Sequence, residues 1–101
     1  MSQSYITVNQ NETRAIELLI RDQNDDPVYP DSAYARVVDA YTDIPVVSEM
    51  VAMVDGNKIY FLLTPVVTAE PGMYDVIWRI VKTETSIYTF YHKTRVTVNE
   101  L

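Results

Sequence analysis

There is no cysteine among the 101 residues, which excludes disulfides, thiolate nucleophiles and thiolate metal sites. Glycine is almost as scarce. With only Gly56 and Gly72, neither a phosphate-binding loop nor a Gly-x-Gly-x-x-Gly fingerprint can be written. His92 is the sole histidine, so a His-pair metal site and a multi-histidine relay are ruled out. Apolar runs such as Met50 to Val54 and Ile59 to Leu63 are far too short to cross a bilayer as a helix. Met1 to Tyr5 carries neither region of a secretion signal, so the expectation is a protein made in a cytoplasm and not exported by that route. Basic residues are the minority, 8 against 14 acidic, for a net charge of −6. That balance repels phosphate backbones and anionic membranes, and no basic run overrides it; neither nucleic acid nor membrane is an expected partner.

Against these absences stand a 48% hydrophobic content and eight Tyr among the aromatics. A chain of this length buries roughly two-thirds of its unfolded surface, enough for one core without staples. Residues 1–101 read as a single domain, with 1–4 a flexible or partner-ordered lead segment. Turn-forming clusters recur at Asn9 to Asn11, Gln23 to Asp31, Thr42-Asp43, Asp55 to Asn57, Glu70 to Gly72 and Thr83 to Ser86. Between them lie seven runs with period-two alternation, rich in β-branched and aromatic residues: Tyr5 to Val8, Ala15 to Arg21, Ala33 to Val38, Val46 to Val54, Lys58 to Thr64, Tyr74 to Lys82 and Ile87 to Val98. Such alternation means one buried and one wet face, the pattern of an antiparallel sandwich. No stretch shows a helical stripe; the contiguous Met50 to Met53 is the least regular part of the fourth strand. A bend is expected in the seventh strand between His92 and Arg95.

Glu70-Pro71-Gly72-Met73-Tyr74 leads into the most strongly alternating strand, where Tyr74, Val76, Trp78 and Ile80 share one face. A Tyr at such a corner returns its hydroxyl to nearby backbone, so Tyr74, Val76 and Trp78 are expected as corner and core residues. The opposing reading makes Trp78 an aromatic platform for a sugar. Asp22 to Asp26 invites a calcium site, but Pro27 and Ala33 stand where a helix–loop–helix calcium motif needs Gly and Glu, so a self-bonded Asp/Asn turn is expected and no metal. His92 is expected at the solvent or capping a bend. A Ser-His-Asp set can be written with Ser48 or Ser86, but no strained Gly-x-Ser-x-Gly elbow presents either hydroxyl. No catalytic residue and no cofactor is therefore expected, and the chain reads as a non-enzyme. The surplus of large aromatics on the last strand points instead to a protein interface at Tyr88, Phe90 and Tyr91.

The succession of an apolar strand, an Asp-rich turn with a Pro, a hairpin over Asp55-Gly56-Asn57 and Pro71-Gly72-Met73-Tyr74 before two long strands resembles the immunoglobulin-like domains of tailed-phage virion proteins. Capsid decoration proteins and the amino-terminal domains of upper-baseplate proteins are of this type, and the likeness runs from Thr13 to Val98. The resemblance implies an immunoglobulin-like antiparallel β-sandwich of about seven strands, located in the virion and present in many copies. Its function would be that of a capsid decoration or auxiliary subunit whose partners are other virion proteins, foremost the major capsid protein. A tail, neck or baseplate adaptor and a carbohydrate-binding sandwich are the alternative expectations.

Overall fold

The computed structural model describes residues 2–83 and 87–101, and the side chains of residues 4–82 and 89–101. Each alternating run forms a strand: β1 (Ser2–Asn9), β2 (Arg14–Leu19), β3 (Ser32–Asp39), β4 (Pro45–Asp55), β5 (Lys58–Leu63), β6 (Gly72–Thr83) and β7 (Ile87–Asn99). The protein is all-β. Ser2 to Ser4, expected as a lead segment, instead extend β1 alongside His92 to Thr94.

The strands are ordered β1-β7-β6-β3-β4-β5-β2, with β1 parallel to β7 and every other pair antiparallel. The fourth strand decides the architecture. Its first part pairs with β3 as far as Ala52, and its last residues, Met53 to Asp55, pair with β5. The two expected sheets are thereby joined into one seven-stranded mixed sheet that folds over and nearly closes. Its terminal strands β1 and β2 are tied by the Arg14 guanidinium, which donates to the Thr7 carbonyl at 3.1 Å.

Inward residues of the two halves share one core. Ile16, Ile59 and Leu63 from β2 and β5 meet Ala35, Val76, Ile80 and Val96 from β3, β6 and β7. Trp78 lies at its centre, fully buried, with the Phe61 ring edge-on at 6.4 Å and 84°. Strand β7 pairs with β6 over twelve consecutive positions without a register shift, so the expected bend near His92 does not occur. Phe90, His92, Thr94, Val96 and Val98 all follow the inward face as a consequence.

Local chemistry explains the connections. Gly56 takes the positive φ of 63° that a two-residue hairpin turn requires at its first position. Thr64 caps the four-residue helix α1 (Pro65–Thr68), accepting from the Val66 amide at 3.3 Å, with Pro65 at the first helical position. The Thr68 hydroxyl in turn donates to the Glu12 carbonyl at 2.7 Å, fastening α1 to the β1–β2 turn. At the start of β6 the Tyr74 hydroxyl donates to the Glu70 carbonyl at 2.7 Å and closes the corner. Tyr74→Phe keeps the ring and deletes that bond, so a loss of about 1 kcal/mol in denaturant unfolding is expected. An unchanged midpoint would show that the corner bond contributes nothing.

Candidate functional site

Of the three residues expected to form an aromatic interface, Phe90 and Tyr91 do not share a surface. Strand parity sends Phe90 inward, where it packs against the core, and Tyr91 outward, where it is 50% exposed. The side chain of Tyr88 lies outside the described residues. Phe90 is therefore corrected from interface to core. Trp78, with Val76 and Ile80 beside it on the same face, is fully buried and presents no ring to a sugar. The platform reading loses its residue.

His92 faces inward instead of toward solvent, opposite Trp78 in the β6–β7 register. A short polar chain runs beside it through the core. The Trp78 indole donates to Thr94 Oγ1 at 2.9 Å, Thr94 and Ser4 share a hydroxyl bond of 2.9 Å, and Ser4 Oγ lies 3.1 Å from His92 Nε2. Ser4 and His92 thus meet as a nucleophile and base would. Ser4 Oγ is shared between His92 and Thr94, and either hydroxyl of the Ser4–Thr94 pair can be the donor. Burial holds His92 below its ordinary value near 6.5, favouring the neutral ring. The unfolded chain takes up the proton first, so stability present above pH 6.5 is lost as pH falls through the lowered folded value. Glu12 and Asp39 are also held low, chiefly by backbone amides of Asn9 and Tyr41, but their losses begin only in the carboxylate range. A melting temperature that falls between neutral pH and about pH 5, with that slope abolished in His92→Gln, is the expected titration. An identical slope in the variant would contradict it.

The Asp22 to Asp26 run is a self-bonded turn. Asp22 Oδ1 accepts from the Asn24 amide at 2.8 Å and the Asp26 amide at 3.0 Å, and Asp25 adopts φ 65°. Among the described residues no three His, Cys, Asp or Glu side chains gather as a metal site.

Register assembles one feature that the sequence disperses. On the outer face of β7, β6 and β3, Arg95 stands opposite Asp75, Lys93 and Arg36 flank Ile77 from either side, and Tyr91 and Tyr34 flank Arg79. Four of the eight cations of an acidic chain thus lie on one face. Most are neutralised within it. Arg95 Nε donates to Asp75 Oδ1 at 2.5 Å, Lys93 Nζ stands 3.7 Å from Asp75 Oδ2, and Arg79 holds Glu49 through two nitrogens while covering the Tyr34 ring at 4.1 Å.

The other notable surface is a groove of about 700 Å³ that opens where β4 leaves β5. Phe61, Val47 and Val67 line its inner side. Met50, Val51, Met53, Leu62 and Val66 line its rim, each between 53% and 76% exposed. Among the described residues no charged side chain lines it. A cluster of this kind is uncommon on a surface with no partner. The sequence signal was the contiguous Met50 to Met53, read above as irregularity within a strand. The chain matches no protein-family model and no curated protein sequence.

Proposed function

We propose that this protein is a non-catalytic structural module of a virion, a decoration or auxiliary subunit that binds the capsid lattice in many copies and stabilises it. The observation that carries the reading is the apolar groove. Of the thirteen exposed large apolar side chains among the described residues, five, Met50, Val51, Met53, Leu62 and Val66, gather around this one groove. Covering them with a capsid subunit contributes roughly 1 kcal/mol for each half-buried side chain. Repetition over a lattice turns a modest single contact into durable attachment. The cross-strand frame supports this role: a nearly closed sheet with an interlocked core presents the groove rigidly, so little is lost to ordering on binding. The sequence resemblance to phage decoration domains supplies the kind of partner.

The test is sedimentation with shells of the capsid protein encoded beside this chain, at low salt and at about half-molar salt, since screening acts on exposed charges and not on buried apolar area. Binding is expected to survive salt and to be lost in Met53→Asp and Leu62→Asp. Binding to the neighbouring tail or baseplate protein in place of shells would assign the adaptor role instead. Attachment abolished by salt yet intact in both variants would overturn the groove as the docking surface.

A further inference from the structure

We infer that the groove takes its partner by strand addition: an extended, uncharged apolar segment of the partner protein lies in the wedge and pairs its backbone with the open edges of β4 and β5. The inference rests on the groove being the docking surface and specifies how the partner is held there.

Hydrogen bonding is the first ground. Strands β4 and β5 pair only at Met53–Tyr60, Val54–Ile59 and Asp55–Lys58. Beyond Tyr60, β5 continues to Leu63 with β2 on one side, and β4 runs back from Ala52 with β3 on the other. Among the described residues no backbone bond bridges the two diverging strands there. Each strand therefore presents an unpaired edge to the same space, and main-chain donors and acceptors left open beside apolar side chains are a template for another strand.

The lining gives the second ground, independent of the first. On a strand, neighbouring residues point to opposite faces, so a groove across one face of a sheet is lined by alternate residues. Here Met50 and Val51 line it together, as do Phe61 and Leu62. A groove that touches both parities of both strands runs along their edges.

Beside the groove these edges also lack the usual protection. Natural sheets blunt an open edge with Lys, Pro or inward charge. Met50 to Ala52 and Phe61 to Leu63 contain none of these, while Pro45 and Glu49 stand nearer the start of β4. By contrast the terminal strand β2 carries Arg14 and Glu17. Helix α1 borders the groove through Val66 and Val67, so the site is bounded. On β4 the opening runs from Val47 to Ala52, roughly 17 Å at about 3.3 Å per residue, and on β5 from Phe61 to Leu63, so a strand of about six residues can lie along β4 with about half of it facing β5. Charge sets the rest of the partner's chemistry. An uncharged lining admits only apolar or hydroxyl side chains within the groove, while the −6 net charge favours cations flanking the segment.

The probe is a fluorescent nonapeptide, Lys-Thr-Val-Thr-Val-Thr-Val-Thr-Lys, titrated with the whole protein and followed by anisotropy. Two further peptides carry N-methyl groups on all valine amides or on all threonine amides, which removes one edge's donors and keeps every side chain. Saturable binding with one site per chain is expected. At least tenfold weakening is expected for at least one methylated peptide and for Leu62→Asp and Val66→Asp, with Tyr91→Ala on the opposite face unchanged. Both aspartates replace side chains that are already exposed, and an unchanged melting temperature would confirm that the variants fold. No peptide binding, or equal affinity of both methylated peptides and the parent, would overturn strand addition. Shell binding without peptide binding would overturn this inference and leave the proposed function standing; peptide binding without shell binding would do the reverse.

Discussion

Trp78→Ala is expected to lower the unfolding free energy by about 3–5 kcal/mol, the range for truncating a buried Trp to Ala. The side chain is fully buried, touches the β5 half through Phe61 and anchors the polar chain through its bond to Thr94. Truncation removes one of the contacts that join the two halves of the folded sheet and leaves Thr94 and Ser4 beside a cavity. For a domain of this size each kcal/mol corresponds to about 4 °C or more, so the melting temperature should fall by more than about 12 °C. Trp78→Phe fills most of the volume and should lose only about 1–2 kcal/mol, chiefly the indole bond. A loss below about 1 kcal/mol in the alanine variant would mean that the β6 register is wrong.

Asp75→Ala should have the second largest effect. Its side chain is only 3% exposed although it lies on the outer face of the sheet, and two cations converge on it. Removing the carboxylate leaves Arg95 and Lys93 side by side without their counter-charge. Breaking a buried pair in this way costs about 3–5 kcal/mol. Both cations keep roughly a quarter to a third of their exposure, so solvent relieves part of the penalty and about 2–3 kcal/mol is expected. The informative comparison is Asp75→Leu combined with Arg95→Met, which replaces the pair by apolar bulk. That double variant should recover at least half of the loss caused by Asp75→Ala. If the single substitution is silent, the network is only a surface contact.

The strands were legible because their signals are local. Tyr74, Val76, Trp78 and Ile80 alternate with Asp75 and Arg79 just after Pro71-Gly72, so the inward face could be named residue by residue even though Ile77 and Val81 are apolar too. What the sequence hid depends on pairing. The crossing of β4 is a matter of which strand it meets on either side of Ala52, and no periodicity within Met50 to Val54 encodes that change of partner. The cationic face is equally nonlocal: Arg36, Arg79, Lys93 and Arg95 come from three strands and become neighbours only through register. Two further features are encoded locally. Phe90 and Tyr91 are adjacent and cannot share a face of a strand, and Thr64-Pro65 is a cap followed by a first-turn proline, the start of α1. His92 faces inward because β7 runs through it without the bend that would have turned it to solvent. Continuous pairing with β6 carries the parity of Val96 and Val98 back to it.

Hydrogen–deuterium exchange, read residue by residue with and without capsid shells, tests the central claim most directly. In the free protein, amides of Met50 to Ala52 and Phe61 to Leu63 that face the wedge should exchange quickly despite lying in strands, because no backbone partner covers them. On binding, protection is expected along those two segments and across α1, with Tyr34, Arg79 and Tyr91 on the outer face unaffected. Protection confined to the outer face, with the wedge exchanging as before, would contradict the account.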